Sequence, residues 1–120
     1  MAPIQTREES DGLVISIDNP SGLNDFRSST FRDTLYQTVQ SRNEPRVALD
    51  LSAVDYLSSS GVAILVGLKR RTDTQSGKLV LFGVQPIVHD LLRVMRLNQY
   101  FTFAETERDA LTLLRPARTA

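Results

Sequence analysis

Three short apolar runs, separated by segments long enough for a helix, strongly limit how this chain can fold. The runs are rich in β-branched and aliphatic residues, as buried strands are, and they occupy positions 13–18, 47–51 and 78–84. Strands that alternate with helices form right-handed crossovers and a largely parallel sheet. A chain of 120 residues is long enough for one such core and too short for two. We therefore expect one α/β domain over residues 1–114, followed by a disordered tail at 115–120.

The N-terminal region predicts an antiparallel hairpin at one side of this sheet. Asp11-Gly12 separates two extended runs, residues 4–9 and 13–18, and Asp-Gly between such runs is a strong hairpin signal. A short extended piece near 100–103 supplies the last strand. The predicted architecture is a mixed β-sheet with an N-terminal antiparallel hairpin, in which the remaining strands alternate with helices packed on the sheet.

Two helices are predicted in the first two-thirds of the chain. From about residue 24 to residue 41, the apolar residues Phe31, Leu35 and Val39 recur at i, i+4 and i+8, which makes one stripe on an amphipathic helix. Residues 62–71 are apolar nearly all round in their first two turns. This second pattern is typical of a helix pressed against a sheet.

Two further helices are predicted after the last long strand. Pro86 suits a first helical position, and the inward face of the helix that it begins is predicted to consist of Ile87, Val88, Leu91, Leu92 and Met95. Thr106–Asp109 resembles a capping box, which marks the start of a final helix.

Composition excludes several classes of function. Fourteen basic and fourteen acidic side chains cancel, which argues against direct binding to nucleic acid or to a membrane surface. The absence of cysteine excludes disulfides, thiolate nucleophiles and cysteine zinc sites, and a single histidine excludes a multi-histidine metal site. No apolar run approaches the roughly 20 residues that span a bilayer, and the N-terminus lacks the apolar centre of a signal peptide. We expect a cytoplasmic protein without a cofactor.

The connection after the strand at 47–51 is the most informative segment for function. It contains Ser58-Ser59-Ser60-Gly61 and lies at the carboxyl end of a strand, where open α/β sheets bind ligands. Hydroxyls there can cap the first backbone N–H groups of the helix, and the same donors would stabilise a phosphate carried by a serine. Gly61 allows the backbone to come close to a docked molecule. The alternative interpretation is a serine-rich N-cap with no further role.

Residues 47–62 also resemble the central stretch of STAS domains, the family of anti-sigma factor antagonists. They share its order of an apolar strand, then Asp-Leu-Ser-x-Val, then a Ser-Ser-Gly loop that opens a helix. The likeness covers roughly residues 5–114. It continues in Leu23-Asn24, in the helix beginning Phe31-Arg32-Asp33-Thr34-Leu35, in Leu79–Val84, in Pro86-Ile-Val88 with Leu91-Leu92, and in Leu97 with Tyr100-Phe101.

This resemblance implies a small switch that is not an enzyme. In the bacterial regulators that it resembles, the unphosphorylated domain binds an anti-sigma factor that is itself a serine-protein kinase, and the sigma factor is freed. The kinase phosphorylates one loop serine, which breaks the complex, and a metal-dependent serine phosphatase of the PP2C type restores it. Phosphorylation adds about −1.5 to −2 charge at one point. A partner that excludes water from the loop would then have to desolvate this charge, which weakens its binding.

Alignment on the family's loop places the phosphoacceptor at Ser59, with Ser58 and Ser60 as alternatives. Many phosphorylated members have aspartate at the two positions where this chain has Ser58 and Asn24. Asp25 and Asp55 lie nearby in the sequence and are candidates to restore the negative charge of those two carboxylates. The residues expected to contact the partner are Asn24, Asp25, Leu57, Ser58, Ser60, Gly61 and Val62.

Three other interpretations remain open at this stage. One is a STAS scaffold or adaptor of a signalling or transport complex that is never phosphorylated, which Ser58 in the place of aspartate fits. Another is a ligand-binding or hydrolytic domain with Ser59 as nucleophile, but Leu57 occupies the glycine position of the nucleophile elbow, and His89 is the one available base. A receiver-like domain with Asp50 as phosphoacceptor lacks the acidic pair that such domains carry.

Two basic groups are candidate docking surfaces for an acidic partner. They are the run Lys69-Arg70-Arg71 and the stripe of His89, Arg93 and Arg96. The simpler interpretation of the run is a charge match to the C-terminal end of a helix dipole. The simpler interpretation of the stripe is a solvated helix face with a surface histidine.

Overall fold

The computed structural model describes residues 4–25 and 29–116, and in these ranges the backbone forms five strands and five helices. The strands are β1 (Gln5–Glu9), β2 (Gly12–Ser16), β3 (Arg46–Asp50), β4 (Lys78–Phe82) and β5 (Thr102–Ala104). The helices are α1 (Pro20–Asn24), α2 (Ser29–Gln40), α3 (Ser59–Thr74), α4 (Pro86–Val94) and α5 (Glu107–Leu114). This order confirms the predicted α/β class.

The strands form one sheet in chain order, β1-β2-β3-β4-β5. β1 and β2 are antiparallel, whereas every later pair of neighbours is parallel. Right-handed crossovers that all advance in one direction stay on one side of a sheet. The helices between the parallel strands therefore share one face, and α5, which follows the last strand, covers the other. The predicted mixed sheet with an N-terminal hairpin is confirmed.

Alternation along the strands separates two apolar clusters. In β3, Val47 and Leu49 join the larger cluster under α2, α3 and α4, whereas Ala48 joins the smaller one under α5. Ala110 and Leu114 close the smaller cluster from α5. Each fully buried aliphatic side chain contributes about 1.5–3 kcal/mol relative to an exposed one, so the larger cluster dominates the stability of the domain.

The hairpin forms where it was predicted, with a small difference at its turn. Glu9 pairs with Gly12, so the two-residue loop is Ser10-Asp11 and Gly12 is the first residue of β2. A Cβ at Gly12 would lie 2.7 Å from the carbonyl oxygen of Arg46. Glycine is needed at this position because the neighbouring backbone approaches so closely.

The predicted helix from about 24 to 41 is wrong at its beginning. α2 begins at Ser29, and Asn24 ends the separate short helix α1. Asn19 caps α1, because its side chain accepts a hydrogen bond from the backbone N–H two residues on, at 3.1 Å. Pro20 occupies the first helical position. Asn19-Pro20, which interrupts the strand pattern, is therefore a helix start.

The predicted inward face of α4 is wrong for two of its five residues. Val88 and Leu92 are buried and Leu91 is half-buried, but Ile87 and Met95 are exposed. Successive helical residues differ by about 100°, so Ile87 points well away from the direction that Val88 defines. Met95 is the C-cap residue and lies past the end of the helix that packs on the sheet.

The C-terminal helix begins as predicted. The Thr106 side chain accepts a hydrogen bond from the backbone N–H of Asp109 at 3.1 Å, which is the first half of a capping box. Arg115, the first residue of the predicted tail, lies 3.0 Å from the Asp11 carboxylate. The end of that tail, residues 117–120, lies outside the described residues. No helix in the described ranges has both the length and the apolar character needed to cross a bilayer.

Tyr36 fixes the packing of α2 on α3. Its buried hydroxyl donates a hydrogen bond to the carbonyl oxygen of Ile64 at 3.0 Å, and the Arg71 guanidinium lies 3.9 Å from its ring centroid. A Cβ at Gly67 would lie 2.2 Å from that hydroxyl, so glycine makes room for it. Burial raises the pKa of Tyr36, and the positive charges of Arg71 and Arg32 partly oppose this rise.

Tyr36→Phe should lower the free energy of unfolding by about 1 kcal/mol, because one buried hydrogen bond is lost. The raised pKa of Tyr36 also means that the folded state holds the phenol proton more tightly than the unfolded state does. Its contribution to stability is therefore present below the ordinary tyrosine pKa of about 10 and is lost as the pH rises above it.

Urea unfolding of both proteins at neutral pH and above about pH 10 measures this difference. The wild type should lose more stability between the two pH values than Tyr36→Phe does. Tyr56→Phe is the matched control, because Tyr56 is exposed, and it should behave as the wild type. Equal alkaline losses in all three proteins would contradict the assignment.

Candidate functional site

The candidate site is built on the connection from β3 to α3, residues 51–58. Leu51, Val54 and Leu57 are buried beneath it, whereas Asp55 and Tyr56 are exposed. A turn closes its first part, because the backbone N–H of Val54 donates to the carbonyl oxygen of Leu51 at 2.9 Å. The apolar residues therefore hold the connection against the core and leave its outer side accessible.

Asn24 ties this connection to the end of α1. Its Nδ2 donates to the carbonyl oxygen of Tyr56 at 2.7 Å, and its Oδ1 accepts from the backbone N–H of Ser58 at 2.8 Å. The Ser58 hydroxyl donates back to the carbonyl oxygen of Asn24 at 2.9 Å. We call these three contacts the Asn24 clamp. An amide suits the clamp because it supplies a donor and an acceptor at once.

Ser58 is the N-cap of α3. Its backbone is extended, with φ −78° and ψ 171°, and its Oγ accepts a hydrogen bond from the backbone N–H of Gly61 at 3.1 Å. The Ser58 hydroxyl therefore donates to the carbonyl oxygen of Asn24 and accepts from the backbone N–H of Gly61. Ser58 is half-buried, and these contacts explain why a serine in this position has a structural role.

Gly61 leaves the space that the clamp occupies. A Cβ at Gly61 would lie 2.3 Å from the Asn24 Oδ1 and 3.3 Å from a methyl carbon of Leu57. No real side chain tolerates the first distance, so the amide of Asn24 would have to move. The glycine in the first turn of α3 is thus required by the contact with Asn24, 37 positions earlier.

Ser59 differs from its neighbours because it is exposed, whereas Ser58 and Ser60 are half-buried. It is the first residue of α3. The first helical hydrogen bond here runs from the N–H of Val62 to the carbonyl oxygen of Ser58, at 3.0 Å, so the N–H groups of Ser59 and Ser60 precede the intrahelical ladder. With no acidic residue in the first turn of α3, this end of the helix favours an added negative charge.

The other residues expected at the partner surface have different surroundings. Leu57, Gly61 and Val62 are buried, so they support the loop from below and expose little surface to a partner. Asp25 is half-buried and is the C-cap residue of α1, with its N–H donating to the carbonyl oxygen of Ser21 at 3.0 Å. Asp55 is exposed.

Tyr56 was missed by the sequence reasoning, although it is 58% exposed. It lies beside Ser58-Ser59-Ser60-Gly61, which we call the serine loop. Val54 and Leu57 are the apolar anchors on either side of Asp55 and Tyr56, and both are buried. Two anchors three residues apart leave the residues between them to face solvent. That spacing was the available signal, and an exposed tyrosine is typical of protein interfaces.

A groove of about 630 Å³ opens at the same edge of the sheet, at the ends of β4 and β5. Its lining includes Val84, Gln85, His89, Phe103 and Glu105. The prediction of a solvated surface histidine is only partly right, because His89 is half-buried and its ring packs edge-on against Phe103 at 4.9 Å. Gln85 links this groove to the connection from β3 to α3 by donating from Nε2 to the carbonyl oxygen of Ser52 at 2.8 Å.

Neither alternative chemistry is assembled at this edge. In the described part of the chain, no hydrogen bond joins Ser59 to His89, so there is no nucleophile activated by a base. Asp50 accepts a hydrogen bond from the backbone N–H of Ser52 at 2.9 Å, which is a local turn contact at the strand end. The strand order also lacks the reversal that creates the ligand cleft of doubly wound sheets.

The basic run at the end of α3 is largely engaged within the molecule. Lys69 lies 2.8 Å from the carboxylate of Asp73 and 5.0 Å from the ring centroid of Tyr100. Arg71 stacks on Tyr36 and donates to a backbone carbonyl oxygen at 3.1 Å. Arg70 is exposed. These contacts favour the structural interpretation of the run over a docking surface.

Comparison with known proteins finds similarity to STAS domains and to anti-sigma factor antagonists. The family model described as "STAS domain" matches residues 3–110. The chain is 26% identical over 92 residues to a protein of Paenibacillus polymyxa named "Anti-sigma F factor antagonist", which covers 77% of this chain and 79% of that protein.

Two solved structures share the fold. One is an anti-sigma-factor antagonist (STAS) domain protein from Planctomyces limnophilus, with a TM-score of 0.82 and 22% identity, covering 94% of this chain and 98% of that one. The other is the anti-sigma factor antagonist SpoIIAA in its unphosphorylated form, with a TM-score of 0.75 and 18% identity, covering 97% and 99%.

Gly61→Ala should lower the free energy of unfolding by about 1–3 kcal/mol, because the new methyl group displaces the Asn24 amide. Asn24→Ala alone should cost about 0.5–1.5 kcal/mol for each hydrogen bond lost, since it removes the partner of the exposed Tyr56 carbonyl and of the half-buried Ser58 N–H. In the double variant the methyl group has room, so the two costs should not add.

Chemical unfolding of the four proteins in this cycle gives the coupling between Asn24 and Gly61. Ala63→Gly is a control for helix propensity, because Ala63 is exposed in the same helix; it should cost about 0.5–1 kcal/mol and show no coupling to Asn24. Strict additivity of Asn24→Ala and Gly61→Ala would contradict the steric account.

Proposed function

The chain belongs to the STAS domain family, and from this premise we propose that it is an anti-sigma factor antagonist controlled by phosphorylation of Ser59. In its unphosphorylated form it binds an anti-sigma factor that is also a serine-protein kinase, and so frees the sigma factor. It acts by binding and not by catalysis. Its partners are the kinase and a PP2C-type serine phosphatase, and it acts in the cytoplasm without contacting nucleic acid or membrane.

The exposure of Ser59 is the main support for this proposal. A kinase must reach the acceptor oxygen from outside, and of the three consecutive serines only Ser59 is an exposed residue. The Ser58 hydroxyl is occupied twice, by Asn24 and by the N–H of Gly61. Transfer to Ser58 would therefore break the clamp and the helix cap, whereas transfer to Ser59 leaves both in place.

The chemistry at Ser59 is a simple group transfer. The Ser59 Oγ attacks the γ-phosphorus of ATP bound to the kinase, loses its proton, and ADP leaves. The phosphoserine is hydrolysed by the phosphatase with one water, which restores the hydroxyl and releases inorganic phosphate. This chain supplies only the acceptor oxygen in both steps.

The start of α3 tolerates the added charge. The N–H groups of Ser59 and Ser60 precede the intrahelical ladder, and the helix dipole favours a dianion there. The domain therefore stays folded when it is phosphorylated. The effect falls on the partner instead, because a surface packed against Tyr56 and Ser59 would have to bury a dianion without a matching cation.

Ser59→Ala should abolish phosphate incorporation by an anti-sigma factor kinase of the source organism in the presence of ATP. Ser60→Ala is the matched control and should still be phosphorylated, because its hydroxyl is neither the exposed one nor the cap. Mass spectrometry of peptides from residues 58–61 gives the site directly. Phosphate on Ser58 or Ser60 in the wild type would contradict the assignment to Ser59.

Ser59→Asp should weaken binding to the same kinase at least about tenfold, equivalent to 1.4 kcal/mol. Ser10→Asp carries the same charge on the hairpin loop, at the opposite edge of the sheet, and should bind as the wild type does in calorimetric titrations. Tight binding by Ser59→Asp, with no phosphate on the wild type under any condition, would instead favour a constitutive scaffold. The absence of carboxylates at Asn24 and Ser58 is the feature that this second function would explain.

A further inference from the structure

Tyr56 presents a large ring to solvent at the edge of the sheet that carries Ser59. Its relative exposure is 58%. In the described part of the chain, its hydroxyl makes no hydrogen bond and its ring makes no aromatic or cation–π contact. The other two tyrosines differ, because Tyr36 bonds to α3 and Tyr100 packs edge-on against Phe101. Tyrosines with free surface of this kind are enriched in protein interfaces.

The backbone beneath this ring is fixed. The carbonyl oxygen of Tyr56 accepts the 2.7 Å hydrogen bond from Asn24 Nδ2, and Val54 and Leu57 on either side are buried. All these restraints act on the main chain or on neighbouring side chains, so the ring itself is not needed for them. A tyrosine on a fixed backbone loses only the freedom of two side-chain torsions when a partner covers it.

Tyr56 lies so close to Ser59 that one partner has to cover both. The two residues are three positions apart, a separation of at most about 11 Å even in a fully extended chain. A protein interface of ordinary size buries about 800 Å² per partner, which is a patch roughly 30 Å across. A kinase that reaches the Ser59 oxygen through such an interface therefore also meets the Tyr56 ring.

We propose that Tyr56 is the anchor through which the anti-sigma factor kinase binds this chain, with its ring seated in an apolar pocket of the kinase. This inference rests on the function proposed for Ser59 and adds the contact that supplies affinity before phosphate transfer. Tyrosine suits the role because its ring offers a large apolar area, while its hydroxyl needs one hydrogen-bond partner in the pocket. Tyr56 thus holds the complex together, and phosphate on Ser59 ends it.

Fluorine NMR of the chain labelled with fluorotyrosine measures the burial of this ring directly. The chain has three tyrosines, and Tyr56→Phe identifies the resonance of position 56 by its loss. Unlabelled kinase with ADP should shift the Tyr56 resonance and leave the other two in place. Tyr36 is buried under α3, and Tyr100 precedes β5 at the opposite edge of the sheet. ATP in place of ADP should return the Tyr56 resonance to its free position as Ser59 becomes phosphorylated.

Tyr56→Ala should weaken binding to the same kinase at least about thirtyfold, as the loss of an interface anchor does. The Asn24 clamp survives this change because it uses the Tyr56 carbonyl. Tyr56→Phe should keep most of the affinity, since the ring remains. Calorimetric titration with ADP present, so that Ser59 stays unmodified, gives the affinities.

Two matched controls separate the anchor from a general effect of surface changes. Asp55→Ala removes an exposed side chain next to Tyr56 and should change the affinity less than about fivefold, because exposed charges contribute little. Val94→Ala removes an apolar side chain that is 78% exposed at the far end of α4 and should bind as the wild type does.

Phosphorylation kinetics distinguish an anchor from a structural defect. Tyr56→Ala should raise the KM for Ser59 phosphorylation and leave kcat within about twofold, because the acceptor oxygen and the start of α3 are unchanged. Chemical unfolding should show the stability of the wild type, as substitution of an exposed side chain usually does. A misplaced loop would instead lower kcat and stability together.

Three results would overturn this inference and leave the function proposed for Ser59 intact. They are wild-type affinity in Tyr56→Ala, a Tyr56 resonance that does not move when the kinase binds, and an equal loss of affinity in Asp55→Ala. A wild-type chain that the kinase neither binds nor phosphorylates would overturn the proposed function and the anchor together.

Discussion

The direction of the crossovers is the constraint from which the rest of the structure follows. Since every parallel strand is added on the same side of the previous one, right-handed connections place all their helices on a single face. The carboxyl ends of the strands then form one edge without the cleft that a reversal of strand order would open. That edge consists of the connections that follow the strands, with a groove beside the ends of β4 and β5.

The Asn24 clamp fixes the connection from β3 to α3 at this edge. It joins the end of α1 to the start of α3 with hydrogen bonds of 2.7–2.9 Å, and it uses up the Ser58 hydroxyl in doing so. The asymmetry among three adjacent serines therefore arises from a residue distant in sequence. Ser58 caps the start of α3, whereas Ser59 is exposed to solvent. Gly61 makes room for the Asn24 amide, which holds the Ser58 hydroxyl.

Local patterns in the sequence were sufficient for the strands, the hairpin, the start of α5 and the family. They failed where the outcome depends on neighbours distant in the chain. The hydrogen-bond partners of Asn24 are 32 and 34 residues away in the sequence. Spacing within a short segment cannot predict contacts over such a separation. Apolar periodicity in α4 located the helix but could not say which of its two apolar sides the sheet would cover, and Ile87 was assigned to the wrong one. Periodicity reports that a side chain is apolar, whereas only packing decides whether it is covered.

The two ends of the described chain lie at opposite edges of the sheet, which matters for anyone who attaches something to this protein. β1 starts at Gln5, level with Ser16 at the carboxyl end of β2, so a tether placed before it emerges on the same edge as the serine loop. Arg115 contacts Asp11 in the hairpin turn, at the far edge. A fluorophore, bead or fused domain joined beyond Arg115 therefore leaves the loop unobstructed, while the same attachment at the other terminus would crowd it.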